Sequence, residues 1–125
     1  MQSLFPAESN HYLEIDELCA PSIRFFAAKR AGATIGCGAL ALKTGYGEVK
    51  SMFVAPEARG ARVGEIILDR IIEEARAEGL PLLRLETGDK LASAHALYER
   101  AGFKYRGAFG EYEDGPHSVF MEKAL

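Results

Sequence analysis

Residues 53–64 read FVAPEARGARVG, and this stretch decides the fold. An apolar strand ends at Val54, Pro56 stops it, and a short loop with arginine and two glycines follows. Residues 65–72 then open a strongly amphipathic helix. A strand that passes through such a loop into a helix N-terminus turns backbone N–H groups and the positive end of the helix dipole outward. The stretch therefore predicts a site for an anion, most simply a phosphate-bearing ligand.

The chain on either side of this loop predicts a mixed sheet. Three strands precede the loop, at residues 23–29, 34–42 and 48–54, and glycine-containing turns join them in antiparallel order. Helices and strands alternate after it, with helices from Val63 to about residue 78 and from Ala94 to Ala101. The later strands are predicted at residues 82–87, 103–106 and 118–123, and residues 1–22 are predicted to be irregular, with one short helix at 10–18.

The element order β-β-β-α-β-α-β-β predicts an α/β (α+β) fold with a mixed, mostly antiparallel sheet and helices on its faces. A length of 125 residues predicts one domain, residues 1–125. Without the basic run expected of a nucleic-acid partner or the apolar length of a membrane span, neither partner is predicted. Two cysteines without framework spacing suit a reducing cytoplasm, and the histidine spacing predicts no metal site.

The loop alone does not identify its ligand. It lacks the Gly-Lys-Ser/Thr of a Walker loop and the G-x-G-x-x-G spacing of a dinucleotide fingerprint. A plain turn at a helix start is an equally good interpretation of these residues. The acidic, aromatic loop at residues 111–115 suits recognition of a cationic or aromatic amine, or is simply solvated.

A second motif, AHALYERAGF at residues 94–103, gives the loop a family context. Together with the VAP of residues 54–56 and the R-G-x-x-x-G of residues 59–64, it resembles the GNAT superfamily of acyl-CoA-dependent N-acetyltransferases. That family has R/Q-x-x-G-x-G/A after a strand ending in V-x-P, and a later helix ending in L-Y-x-x-x-G-F. The resemblance covers about residues 23–123 and is closest to bacterial enzymes that acetylate small molecules.

The resemblance implies that acetyl-CoA is the co-substrate, with no metal. Backbone groups of Met52 and Val54 would pair with its pantetheine arm, and the amide of Phe53 or Val54 would polarise the thioester carbonyl. The loop amides would hold the pyrophosphate. These are Arg59, Gly60, Ala61, Arg62, Val63 and Gly64.

Two positions depart from the family pattern. Arg62 stands where the family usually has glycine, so its side chain either narrows the phosphate turn, contacts a phosphate or is simply tolerated, and tolerance is favoured. Leu91 stands where the family often has asparagine. Ser93 and the start of the second helix are the candidates to replace that contact.

Tyr98 and Glu48 are the candidate catalytic residues. Tyr98 resembles the family tyrosine near the cofactor sulfur, where a phenol is a suitable proton donor to a departing thiolate; otherwise it is a core tyrosine. Glu48 resembles a general-base glutamate of some members, which takes a proton from the ammonium directly or through water. The alternative for Glu48 is a solvated strand-edge residue, or an ion pair with Lys50 or an arginine.

The family normally has a strand and one or two helices before residue 23, and here only about twenty residues precede it. The first strand and helix are therefore expected to be absent or reduced, which leaves the strand at 23–29 as an open edge. We therefore expect a homodimer or a compromised acceptor site.

The functional prediction is a cytoplasmic enzyme that moves acetyl from acetyl-CoA to the amine of a small molecule by direct attack, without a covalent enzyme intermediate. Two alternatives are a non-catalytic CoA-binding module or sensor, and a peptide N-terminal acetyltransferase.

Overall fold

The computed structural model describes residues 13–20, 22–58, 62–110, 112, 113 and 115–125. They form one seven-stranded sheet in the order β1-β2-β3-β4-β5-β7-β6, and only β4 and β5 are parallel neighbours. This confirms the predicted mixed, mostly antiparallel α/β class. The strands are β1 (Leu13–Ala20), β2 (Ile23–Arg30), β3 (Ala33–Lys43), β4 (Tyr46–Val54), β5 (Leu82–Gly88), β6 (Lys104–Arg106) and β7 (Ser118–Ala124). The helices are α1 (Val63–Ala77) and α2 (Ala92–Arg100), with a 3-10 turn at Pro56–Ala58.

The N-terminal region corrects two sequence expectations. Residues 13–18 of the predicted helix belong to strand β1, while residues 10–12 lie outside the described residues. All eight residues of β1 pair with β2 in antiparallel register, from Leu13 opposite Arg30 to Ala20 opposite Ile23. Long-range pairing therefore overrides a weak local helix tendency. The expectation that the strand before residue 23 is absent or reduced is therefore wrong. Strand β2 is not an open edge, and the edge strands of the described sheet are β1 and β6.

Helix α1 packs along one face of the sheet because its apolar residues recur at helical spacing. Its buried residues are Val63, Ile67, Leu68, Ile71, Ile72 and Ala75. They meet Phe26, Leu40, Leu83 and Met121 of the sheet in one hydrophobic core. Each such side chain contributes about 1.5–3 kcal/mol on burial, so this contact fixes the helix axis against the strands. None of the helices in the described part of the chain has the length and apolar character needed to cross a bilayer.

Helix α2 lies on the same face and ends at the second motif. Gly102 has a φ of 99°, a left-handed conformation that stops the helix and turns the chain back. The Phe103 N–H then donates to the Tyr98 carbonyl at 2.9 Å, and the two rings pack edge to face at 5.7 Å. The L-Y-x-x-x-G-F spacing is thus a helix end that buries its own tyrosine.

A β-bulge separates β4 from β5. The β3–β4 register shifts between Cys37 and Ala39, so Ser51 and Met52 face Gly38 alone, and Ser51 has a φ of 58°. The parallel pairing of β4 with β5 covers only three residues of each strand, ending at Val49 and Leu85. Beyond that point the two strands diverge and leave a gap in the sheet.

The Gly38→Ala variant tests the packing that holds the bulge. A Cβ at Gly38 would lie 2.5 Å from the Met52 Sδ and 2.8 Å from the Ile67 Cγ2. We expect the free energy of unfolding in urea to fall by about 1–3 kcal/mol from overpacking. In the control Gly107→Ala, the new Cβ meets nothing within 4 Å, and a change within about 0.5 kcal/mol is expected. Equal stability of the two variants would contradict this account of the bulge.

Candidate active site

A cleft of about 480 Å³ lies where β4 and β5 have separated. Its walls are the end of β4, the first turn of α1, one side of α2 along most of its length and Thr87 of β5. Eight of the predicted site residues line it, namely Met52, Phe53, Val54, Arg62, Val63, Gly64, Ser93 and Tyr98. Arg59, Gly60 and Ala61 lie outside the described residues. Thr87 and Arg100 also line the cleft, and no sequence pattern singled them out.

The walls of this cleft offer backbone hydrogen-bonding groups. Beyond Val49, β4 pairs with β3 only, so its other edge faces the gap from Lys50 to Val54. Within the residues that the structure describes, no side chain caps the N-terminus of α1 by a hydrogen bond. Backbone groups at a strand edge suit the amides of an extended ligand, and free helix N–H groups suit an anion. The residues present therefore fit a long ligand that carries phosphate at one end.

The backbone conformation of Arg62 explains why glycine is favoured at this position. It is the N-cap residue of α1 with φ 62° and ψ 22°, a left-handed conformation that costs other residues about 1 kcal/mol or more. Its exposed guanidinium forms two hydrogen bonds with the Glu65 carboxylate, at 2.7 and 3.2 Å. Those hydrogen bonds lower the pKa of Glu65. The acidic side chain of the first turn is thereby neutralised at the mouth of the cleft.

Tyr98 lies in the wall of the cleft with only 5% of its surface exposed. Burial raises its pKa to about 12, because the phenolate would lose its hydration there. The phenol is therefore fully protonated at neutral pH. Tyr98 belongs to the hydrophobic core and also borders the cleft, and its role as a proton donor stays a prediction.

Glu48 lies on the opposite face of β4. Its neighbour Gly47 faces Leu40, Leu80 and Leu83 on the helix side, and successive strand residues alternate between faces. The Glu48 carboxylate is 3% exposed and accepts a hydrogen bond of 2.5 Å from the Tyr112 hydroxyl. That hydrogen bond first, and burial second, raise the pKa of Tyr112. Among the described residues, Glu48 forms no ion pair with Lys50 or an arginine.

A second cleft, of about 420 Å³, opens beside Glu48. Its lining residues are Lys43, Thr44, Tyr46, Glu48, Lys50, Gly110 and Tyr112. The structure therefore does not bring Glu48 and Tyr98 into one cleft. It places them in two clefts that share strand β4, which carries Met52 and Val54 in the first and Glu48 and Lys50 in the second.

The loop after β6 brings Tyr112 to Glu48. The Phe109 ring packs against Tyr46 at 5.8 Å and against Tyr112 at 5.2 Å. The Arg84 guanidinium stacks over the Tyr46 ring at 4.6 Å and donates to Glu122 at 2.8 Å. The acidic, aromatic composition of this loop suggested a recognition role. The hydrogen bond from Tyr112 to Glu48 joins residues 64 positions apart, so no local sequence pattern indicates it.

The family of the chain follows from comparison with known proteins. Residues 2–103 match the acetyltransferase (GNAT) family. The chain belongs to this family, and it is an acetyltransferase.

Relatives of similar length support this assignment. The chain is 55% identical to the IAA acetyltransferase of Azospirillum brasilense over 98% of its own length and 81% of that protein. It is 41% identical to YsnE, an uncharacterized N-acetyltransferase of Bacillus subtilis, over all of its own length and 85% of that protein. A solved structure from Klebsiella pneumoniae, described as an acyl-CoA N-acyltransferase, is 40% identical with a TM-score of 0.81, and the match covers 86% of this chain and 76% of that one.

The buried state of Tyr98 predicts a specific pH dependence of stability. The raised pKa means that Tyr98 contributes stability below pH 10, which is lost as pH rises from about 10 through 12. We expect wild type to lose up to about 2–3 kcal/mol more unfolding free energy than Tyr98→Phe over this range, because one pKa unit is 1.36 kcal/mol. Urea denaturation at about pH 9 and pH 11.5 measures this difference. Parallel losses in both proteins would show that the phenol is hydrated.

Proposed function

We propose that the chain transfers acetyl from acetyl-CoA to the primary amine of a small molecule by direct attack of the amine. One observation carries the proposal: strand β4 borders a cleft that includes the N-terminus of α1 on one face and presents the buried Glu48 carboxylate on the other. The two faces of one strand thus offer a place for each of two substrates.

The first cleft would hold acetyl-CoA, which supplies the acyl group as an activated thioester. Backbone groups of Met52 and Val54 would bind an extended pantetheine arm, which is supported by the end of the β4–β5 pairing at Val49. Amides at the start of α1, at Val63 and Gly64, would donate to the pyrophosphate together with those of residues 59–61. Ser93, at the start of α2, contributes a hydroxyl to the same cleft. The amide of Phe53 or Val54 would donate to the thioester oxygen.

Tyr98 would stabilise the departing sulfur by donating a hydrogen bond. Its pKa of about 12 exceeds the ordinary thiol value of about 8.5, so complete proton transfer to a thiolate costs about 5 kcal/mol at 1.36 kcal/mol per pKa unit. A hydrogen-bond donor close to the sulfur lowers the energy of the negative charge that develops there, even when the donor keeps its proton. The proposed role is therefore narrower than the proton donor suggested by the sequence.

Glu48 would accept the proton of the substrate ammonium, directly or through a water molecule. A carboxylate that is buried and already holds one donor, Tyr112, has a fixed position for this task. Direct attack also agrees with the state of Cys37, because burial raises the pKa of its thiol and its Sγ donates to the Ser51 carbonyl at 3.3 Å. A protonated thiol in that setting is a poor nucleophile.

Calorimetry with acetyl-CoA and a thiol-release assay over a panel of primary amines test the two halves of the proposal. We expect saturable binding of acetyl-CoA and amine-dependent release of CoA. Binding without thiol release for any amine would support the CoA-binding module instead. Absence of acetyl-CoA binding would refute the proposal entirely.

The Arg62→Gly variant asks whether the guanidinium is a phosphate ligand. We expect its Kd for acetyl-CoA to stay within about threefold of wild type, because Glu65 already occupies the guanidinium and charged hydrogen bonds of such exposed groups contribute little. Calorimetry measures the Kd, with Arg76→Gly, near the other end of α1, as the matched control. A loss of tenfold or more that is confined to Arg62→Gly would identify a direct phosphate contact.

The Glu48→Gln variant tests the base. The amide keeps the shape and can still accept from Tyr112, but it cannot take a proton, so kcat/KM for an accepted amine should fall by about 10²–10³. The Kd for acetyl-CoA should not change, because Glu48 lies outside that cleft. Glu73→Gln, an exposed carboxylate on α1, is the control and should keep full activity. Full activity of Glu48→Gln would eliminate Glu48 as the base.

A further inference from the structure

The second cleft carries a charge pattern that the proposed reaction does not require. Proton removal needs one carboxylate, yet the lining also includes two lysines, Lys43 and Lys50. Neither lysine has a hydrogen-bond or ion-pair partner within the described portion of the chain. Two free ammonium groups beside one buried carboxylate make this cleft attractive to an anion as well as to an amine.

The register of the strands places these charges in one row. Tyr46, Glu48 and Lys50 alternate along β4 and therefore share a face, and Lys43 is the cross-strand partner of Tyr46. Successive members of such a row are roughly 7 Å apart along the strand. Glu48 thus lies between a lysine at each end of the cleft, within reach of both ends of a short molecule.

Small and aromatic residues surround this row. The cross-strand partners of Glu48 and Lys50 are Ala41 and Ala39, which are small and buried. The Tyr46 and Tyr112 rings form the other walls, and Gly110 comes close to Tyr46, with 3.2 Å between its ideal Cβ position and the Tyr46 hydroxyl. The volume of about 420 Å³ suits a molecule of amino-acid size.

The two arginines on this face are already paired. Arg84, the β5 partner of Glu48, is paired with Glu122 at 2.8 Å, and Arg106 bonds the same carboxylate. Glu86 acts on Tyr112 electrostatically and does not line the cleft. The two lysines are therefore the cations that the cleft itself offers to a ligand.

From this arrangement, and resting on the proposed function, we infer that the acceptor is a small molecule with a primary amine and a nearby anionic group, such as an amino acid. Its ammonium binds at Glu48 and Tyr112, and its anionic group binds Lys50 or Lys43. The bond between the amine nitrogen and the acetyl carbon forms as the C–S bond of the thioester breaks. The ammonium nitrogen loses two protons in all: one goes to Glu48 before the attack, and the second ends on the CoA sulfur, which leaves as the thiol.

Matched acceptors test the charge requirement. The first set is β-alanine, β-alaninamide and propylamine, and the second is L-phenylalanine, L-phenylalaninamide and 2-phenylethylamine. We expect the free acid of at least one set to exceed its amide by about tenfold or more in kcat/KM, and in affinity measured by calorimetry with CoA present, because charged hydrogen bonds are the strong ones. The amide keeps the amine and the shape and removes the negative charge, and the calorimetric affinity reports on that charge without the chemical step.

Lysine variants test whether Lys43 and Lys50 produce the preference for the acid over its amide. In the double variant Lys43→Met and Lys50→Met, the preference for acid over amide should shrink to about twofold or less, with the Kd for acetyl-CoA unchanged. Lys104→Met, on β6 and outside both clefts, removes an exposed charge of the same kind and should keep the preference.

The outcomes separate this inference from the transfer reaction itself. Thiol release with equal use of acid, amide and plain amine would overturn the acceptor class and leave the acetyl transfer standing. Selective binding of the acids without any thiol release would refute the transfer but support the cleft. No saturable binding of either acid, or a preference that survives in the double variant, would overturn the assignment to Lys43 and Lys50.

Discussion

The divergence of β4 from β5 is the constraint on which the candidate site depends. Two parallel strands that stayed paired along their length would consume the backbone groups of residues 50–54 in the sheet. The bulge at Ser51 ends that pairing after Val49, and it is held by packing of Met52 and Ile67 around Gly38. A side-chain contact in the core therefore determines that a strand edge inside the sheet, normally inaccessible, is open to a ligand.

The electrostatics of the first cleft follow from what surrounds a helix N-terminus. The dipole of α1 favours an anion, whereas Glu65 in the first turn would oppose one. Arg62 removes that opposition by pairing with Glu65, at the cost of a left-handed backbone. Arg62 departs from the glycine that the family usually has, and its backbone is strained as a result. Its guanidinium nevertheless neutralises the Glu65 carboxylate, so the departure also removes an unfavourable charge from the anion site.

The sequence predicted most of the fold, and it failed where long-range contacts decide. The β2–β3 hairpin, both helices and strand β5 were foreseen to within a few residues, because turn glycines and apolar spacing are local signals. Strand β1 was missed because its eight residues are held by pairing with β2 and have no strong local pattern of their own. The loop residues lining the first cleft were named from the family motifs, and the positions of residues 59–61 stay a prediction.

Long-range contacts also decide where the two candidate catalytic residues lie in the fold. A sequence can name Tyr98 and Glu48, but it cannot say that they face opposite sides of the sheet, since that depends on the register of β4 and on where α2 packs. For the proposed direct attack, the two substrates would have to meet where β4 and β5 have separated, because that gap is the opening between the two faces of the strand. Tyr98 would then donate a hydrogen bond from the helix side of the sheet and Glu48 would accept a proton from the other side, so the two opposite tasks would fall to groups in different surroundings.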